Sequence, residues 1–237
     1  MYRDSIILVS GATGTGKTLM VSQYIKAAIA AGERALLLGS EESREQMTRN
    51  AAMWGVDFER AERDGLLRII CRYPEVMGFE DHLVQIKRDI RDFKPKRVAL
   101  DSMSAFERVS SQKSFREFVI ALTSTIKHLE ITGLFTNTTA MIPGGESITE
   151  THISTITDTI VLLRYVELRG EMRRGLTVLK MRGTFHEKGI REYTISDDGL
   201  HIGRPFRGVQ GILTGAPTYT LEDERERLGE LFPEVSP

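Results

Sequence analysis

Gly11-Ala12-Thr13-Gly14-Thr15-Gly16-Lys17-Thr18 fits the pattern G-x-x-x-x-G-K-[ST]. Residues of this type and spacing bind phosphate. The glycines let backbone N–H groups approach phosphate oxygens, and a helix beginning at the loop adds the positive end of its dipole. In this pattern Lys17 reaches the β- and γ-phosphates and the Thr18 hydroxyl holds Mg²⁺. Gly11, Thr13, Gly14, Thr15, Gly16, Lys17, Thr18 and the adjoining Leu19 therefore form a candidate seat for a nucleoside triphosphate.

Acids that complete such a site follow at two places. Glu41 and Glu42 stand just past an apolar run, where one carboxylate can activate an attacking water or hydroxyl. They would also suit the first turn of the next helix, which favours negative charge. Arg97-Val98-Ala99-Leu100-Asp101 is an apolar run that ends on an acid, the pattern in which the aspartate holds Mg²⁺ directly or through water. Thr18, Glu41 and Asp101 are thus the candidate metal-side residues, and Glu41, Glu42 and Lys17 the candidate catalytic ones. Ser102 and Ser104 lie where they would sense a γ-phosphate.

The elements that must position these groups alternate. Ser5–Ser10, Arg34–Gly39, Leu66–Cys71, Arg97–Asp101 and Gly133–Thr138 read as buried strands. Leu19–Ala31, Ser43–Trp54, Phe79–Phe93 and Ser114–Glu130 read as helices between them, the third ended by Pro95. Alternation predicts an α/β fold with a mostly parallel, twisted central sheet flanked by helices. Beyond Asp158 the pattern changes. Thr159–Tyr165, a hairpin at Leu168–Glu171, Leu176–Met181 and Ile190–Ser196 follow without helices, so antiparallel strands should extend the sheet at its C-terminal end. After Gly208 regular pattern is lost, and a division into a domain over 1–217 and a charged tail over 218–237 is expected.

A chain of 237 residues with 41% apolar content can bury a sizeable core. Lys and Arg number 32 against 33 Asp and Glu, a balance that argues against a nucleic-acid binder driven by overall charge. The single cysteine, Cys71, excludes an internal disulfide and suits a reducing compartment; its apolar neighbours suggest an inert buried thiol. Arg3 and Asp4 interrupt the start, and the apolar run that follows is short for a secretory signal. No stretch has membrane-spanning length, so a cytoplasmic protein without membrane partners is expected.

Two further segments carry chemistry. Ser147–Asp158 is rich in hydroxyls, which would serve as turn and cap residues or as phosphoryl acceptors. Arg173, Arg174, Lys180, Arg182, His186 and Lys188 give the C-terminal half a basic cluster, either a solvated hairpin face or charges offered to a neighbour's nucleotide. Trp54 reads as core, with base stacking as the other use. A DNA motor would place basic loops after the later strands, yet Lys and Arg are absent between Lys127 and Arg164. A module that binds ATP only to assemble a ring is the remaining alternative, and Glu41, Glu42 and Asp101 argue against it.

At this point the chain resembles the KaiC family of RecA-like P-loop ATPases, and within it the second, autokinase domain. The resemblance is carried by Asp4–Leu8, Gly11–Thr18, Glu41–Arg44, Trp54-Gly55, Asp57-Phe58, Phe93-Lys94-Pro95, Asp101-Ser102, Ile131–Asn137, His152–Thr159 and Lys180–Gly183. It implies a circadian-clock or related signalling component with ATP and Mg²⁺ as cofactors and with ATPase, Ser/Thr autokinase and autophosphatase activities. It also implies a homohexameric ring with ATP between subunits, and KaiA- or KaiB-like partners. Ser154 and Thr155 would be the phosphorylated pair and Thr149 an auxiliary acceptor. Glu41 would be the general base with Glu42 beside it, and Trp54 would lie near the adenine or ribose. Arg174, Lys180, Met181, Arg182, Thr184, His186 and Lys188 would reach the nucleotide across the interface.

Overall fold

The structure is a computed structural model that describes residues 4–139, 155–212 and 218–219. Its first half alternates strand and helix. β1 (Ile6–Gly11) leads through the phosphate loop into α1 (Lys17–Ala30), then β2 (Ala35–Gly39), α2 (Arg44–Met53), α3 (Phe58–Arg63) and β3 (Leu67–Cys71). A 3-10 turn at Pro74–Val76 precedes α4 (Phe79–Phe93) and β4 (Arg97–Asp101). After these come α5 (Met103–Arg108), α6 (Gln112–His128) and β5 (Thr132–Thr138). The second half is β6 (Thr159–Leu168), β7 (Glu171–Met181), β8 (Arg191–Ser196) and β9 (Gly199–Pro205). A short ribbon of β10 (Val209–Gln210) and β11 (Thr218–Tyr219) follows.

β1 to β9 form a single sheet in the order β3-β2-β4-β5-β1-β6-β7-β8-β9. β3 through β6 are parallel, and β6 to β9 pair antiparallel. Parallel strands are buried on both faces, which is why these segments read as unbroken apolar runs. The period of two along each strand then divides the core. Ile6, Leu8, Leu36, Leu38, Val98 and Leu100 face α4, α5 and α6. Ile7, Val9, Ala35, Leu37 and Ala99 face α1, α2 and α3. On the first face Phe106 stacks on Phe118 at 5.0 Å, and Phe79 meets both rings edge-on. Each such side chain contributes about 1.5–3 kcal/mol by leaving water.

Register sets the functional edge. Gly11 pairs with Thr138 and Leu163, and Gly39 pairs with Asp101. The C-terminal ends of β1, β2, β4 and β5 thus lie along one rim, the place where open α/β sheets bind ligands. β5 separates β1 from β4, so the phosphate loop and Asp101 sit one strand apart.

The antiparallel half departs from expectation in extent. β7 begins at Glu171 rather than Leu176, so β6 and β7 form a hairpin with Arg169-Gly170 as its turn. Arg169 has φ 56° and Gly170 φ 77°, as a tight reversal between twisted strands requires. β9 is a strand that the sequence reading did not include, and the β10–β11 ribbon lies after Gly208, where no regular pattern is expected. The expected boundary at 217 falls inside that ribbon, and the residues after Tyr219 lie outside the described ones. Among the described residues no helix is long and apolar enough to cross a membrane.

Candidate nucleotide site

α1 is left open at its start. α2 is capped by Ser43 and Gln46 in a reciprocal box, α3 by Asp57 and α6 by Ser111. α1 instead begins at Gly16, in the left-handed region, with no side-chain cap and no acid in its first turn. The first N–H groups of a helix have no partner within it. At α1 they point into the loop, which makes an anion seat.

The loop's conformation depends on its glycines. Gly14 (φ +80°) and Gly16 (φ +94°) adopt backbone that side chains disfavour. A Cβ on Gly14 would lie 2.6 Å from the Tyr165 hydroxyl, and one on Gly16 2.8 Å from Ile195 Cδ1. Thr15 closes the turn by donating to Ala12 O at 2.7 Å, and the buried Tyr193 hydroxyl donates to Thr15 O at 2.5 Å. The antiparallel strands therefore brace the phosphate loop from behind.

Lys17 folds back into the loop, where Nζ donates to Gly11 O and Ala12 O, both at 2.9 Å. Burial pushes its pKa down, against the pull of Asp101 and Glu41. The Leu19 side chain is buried, so only its backbone N–H can serve a nucleotide. Asp101 is buried and accepts a hydrogen bond from Thr136 Oγ1. Burial raises its pKa most, the Thr136 and Thr18 hydroxyls and Lys17 oppose the rise, and Glu41 adds to it. Thr18, Lys17 and Asp101 are thus brought together.

This set fits Mg²⁺. A hard dication that keeps its waters and borrows phosphate oxygens needs only one or two protein oxygens. Asp101 and Thr18 supply them beside the loop, and Glu41 stands near enough to perturb both Asp101 and Lys17. Among the described residues no cluster of three His, Cys, Asp or Glu could hold a metal unaided, so the phosphates would complete the shell.

Glu41 Oε2 accepts from Ser102 Oγ at 2.7 Å, and Oε1 accepts from Arg108 Nη2 at 2.6 Å. Glu42 accepts from Asn50 at 3.1 Å, and its pKa is raised by burial and then by Asp101. The Ser104 hydroxyl donates to Asn137 Oδ1 at 2.8 Å and accepts from Thr138 N at 2.6 Å, tying β5 to α5. Trp54 caps the C-terminus of α2 and is half-buried, which does not match the core reading. Cys71 is half-buried and free, with burial raising its pKa.

The basic residues divide into two groups. Arg174 pairs with Tyr165 across the β6–β7 ladder, and its guanidinium lies 5.6 Å from that ring. Tyr165 abuts Gly14, so Arg174 lies at the phosphate-loop end of the sheet, whereas the resemblance implies that it reaches a neighbour's nucleotide together with Lys180 and Arg182. Lys180 pairs with Ile160 and Met181 with Thr159, at the opposite end of the sheet. There Lys180 Nζ donates to Thr157 O at 2.8 Å and Arg182 Nη2 to Thr155 O at 2.6 Å. Met181 and His186 are half-buried and Thr184 and Lys188 exposed. Thr155 is described and exposed, whereas Thr149 and Ser154 lie outside the described residues.

Sequence reasoning missed Asn50, eight residues from Glu42 on α2, and Tyr193 as neighbours of this machinery. Tyr193 carries no local signal, because it reaches the loop from 178 residues away.

A glycine-rich loop on a parallel sheet, an acid one strand away and an antiparallel extension define a RecA-like P-loop ATPase domain. The family model described as "ATPase: KaiC" matches residues 1–206, and the chain belongs to that family. It is 62% identical over 233 residues to the circadian clock protein KaiC3 of Synechocystis, a match covering 98% of this chain and 46% of that protein. It is 58% identical over 230 residues to the circadian clock oscillator protein KaiC of Thermosynechococcus vestitus, covering 97% of this chain and 44% of that protein. The chain thus spans about half the length of the curated relatives it matches.

Proposed function

We propose that this chain is an ATP-hydrolysing autokinase domain that phosphorylates Ser154 and Thr155 of a neighbouring copy, as a component of a KaiC-type clock or a related signalling system. The observation that carries the reading is register. Gly11 lies beside Leu163, at the phosphate-loop end of β1 and β6, whereas Thr159 lies beside Ile7 at the other end. Four residues of parallel strand span about 13 Å, and Thr155 is anchored beyond Thr159 by Arg182. In-line transfer needs reacting atoms about 3–3.5 Å apart. This separation supports transfer between copies over transfer within one subunit. Head-to-tail association joins the two ends, and such an interface closes into a ring when its rotation allows. The family resemblance supports six members for that ring.

In the joined site Lys17 and the open end of α1 hold the β- and γ-phosphates. Thr18 and Asp101 would hold Mg²⁺, which would supply charge neutralisation for the phosphates. Glu41 takes the proton of the neighbour's Ser154 or Thr155 hydroxyl, whose oxygen attacks the γ-phosphorus as the bond to ADP breaks. With water in place of the hydroxyl the same site hydrolyses ATP. Lys180, Met181, Arg182, Thr184, His186 and Lys188 come from the acceptor subunit, while Arg174 and Trp54 serve the donor's nucleotide. Autophosphatase action, KaiA- or KaiB-like partners and a cytoplasmic location follow from the same family reading.

Incubation with Mg-ATP followed by mass-spectrometric mapping tests this directly, with the Ser154→Ala/Thr155→Ala variant alongside. Phosphate on either residue, absent from the variant, is the expected result. Continued ATP hydrolysis with no phosphate on the protein would reduce the chain to an ATPase or ring-assembly module.

A further inference from the structure

The end of the sheet remote from the phosphate loop holds a carboxylate that the reaction above does not use. Asp158 Oδ2 accepts the backbone N–H of Ile6 at 2.8 Å and lies 2.8 Å from Lys127 Nζ. Oδ1 lies 2.9 Å from Lys127 Nζ and 3.8 Å from Arg182 Nη1. The backbone of the same residue is also engaged: Asp158 N donates to Ile6 O and Arg182 N donates to Asp158 O, both at 2.9 Å. Asp158 is thereby fixed to the first residue of β1, to α6 and to the end of β7.

We propose that Asp158 is a positioning residue, whose carboxylate aims Arg182 at the phosphates of the adjoining subunit while its backbone keeps the acceptor hydroxyls in step with that guanidinium. The inference rests on transfer between copies and goes beyond it by naming what holds the acceptor side together. The Asp158 side chain is 18% exposed and that of Arg182 51%, so one partner is anchored and the other reaches out. They line a groove of about 550 Å³ with Lys127 and Thr184, and Asp4 is the other acid on its wall. Lys180 adjoins them, its pKa lowered by burial and then by Arg182. Lys127 and Arg182 meet Asp158 and Lys180 lies beside them, so three cations face the two acids Asp158 and Asp4 and leave positive charge for an incoming anion to neutralise. Arg182 also donates to Thr155 O, so one guanidinium is paired with the carboxylate at 3.8 Å and hydrogen-bonded to the segment that receives the phosphoryl group. A planar donor fork held from one side keeps its remaining N–H groups in a set direction, and misplacement by about 1 Å is enough to cost about 100-fold in rate.

The test uses mixed assemblies and mass-spectrometric detection of phosphate on Thr155 and Ser154. A Lys17→Ala chain lacks the donor half and a Ser154→Ala/Thr155→Ala chain lacks the acceptors. Mixed with Mg-ATP, they should phosphorylate the Lys17→Ala chain. Asp158→Asn is then placed on one chain at a time. The amide still accepts from Ile6 N–H but gives up the ion pair with Lys127, so some loss of melting temperature is expected, equal in either placement, and the donor-chain placement controls for it. On the acceptor-bearing chain it should slow phosphorylation about 10- to 100-fold, with Asp158→Glu recovering part of the loss. On the donor chain the rate should not change. If the reference mixture gives no phosphate, transfer between copies is wrong and this proposal falls with it. If the reference mixture works but Asp158→Asn slows both placements equally, or neither, the positioning role alone is overturned.

Discussion

Arg108 Nη2 lies 2.6 Å from Glu41 Oε1, while Ser102 holds the other oxygen of the same carboxylate. The proposed base is therefore fully engaged before any acceptor arrives. The pair is partly exposed, with Arg108 at 58% and Glu41 at 37%. Ion pairs of this kind contribute about 0.2–1 kcal/mol, so release is cheap but not free. Arg108→Ala should accelerate basal ATP hydrolysis by up to about fivefold, the kinetic equivalent of that range. Steady-state phosphate release measures it. A fall in rate would mean that Arg108 assists the reaction rather than restraining the base.

Removing the base itself should be far more severe. Glu41→Gln keeps the shape of the side chain and its capacity to accept from Ser102, but abolishes proton uptake. General-base catalysis is worth about 10²–10⁴-fold, and turnover should fall by that factor while nucleotide binding persists. Retained binding, measured with a fluorescent ATP analogue, separates a catalytic defect from a collapsed loop. An unchanged turnover would remove Glu41 from the role.

Two glycines with positive φ make a controlled comparison. Gly32 (φ +66°) has nothing within 4 Å of a built Cβ, whereas at Gly14 the Tyr165 hydroxyl lies 2.6 Å away. Gly32→Ala should cost only the left-handed penalty, about 1–2 kcal/mol. Gly14→Ala should cost more and should also weaken ATP binding, because the loop must shift. Gly14→Ala/Tyr165→Phe should recover the part due to crowding. Urea denaturation and nucleotide titration of the three variants would reveal whether strain or contact dominates.

Legibility in the sequence followed the range over which each signal acts. β4 and α4 are found at Arg97–Asp101 and Phe79–Phe93, as read from the sequence, because an apolar run closed by an acid and a long 3.6-residue period are local signals. α3 and α5 span six residues each, too few for periodicity to show. The start of β7, Glu171-Met172-Arg173-Arg174, is polar because it runs toward solvent at the hairpin tip, and burial is what makes a strand readable. The phosphate loop announces itself because its chemistry is confined to one turn. Asp158 does not, since its partners lie 31 and 152 residues away. Arg174 and Lys180 stand in one basic cluster of the sequence, yet an extended strand carries residues six positions apart to different ends of the sheet.

Asp101 tests whether the site is held at a cost to the fold. Its carboxyl is buried, and that burial, with Glu41 nearby, raises its pKa despite the hydroxyls of Thr136 and Thr18 and the charge of Lys17. The folded chain then binds the proton more tightly than the unfolded chain does. Stability must fall as pH rises from the ordinary aspartate range through the folded value. Asp101→Asn removes the charge and still accepts from Thr136. Without nucleotide, the variant should melt a few degrees higher at pH 7, where about 1 kcal/mol shifts a domain of this size by about 2–4 °C. The advantage should shrink as the pH is lowered and the wild-type carboxyl becomes neutral. Adding Mg-ATP should reverse the order, because the wild type gains more binding energy than the variant can. Differential scanning calorimetry across pH, with and without Mg-ATP, reads all three effects. A variant that is less stable at pH 7 would show that attraction to Lys17 outweighs burial.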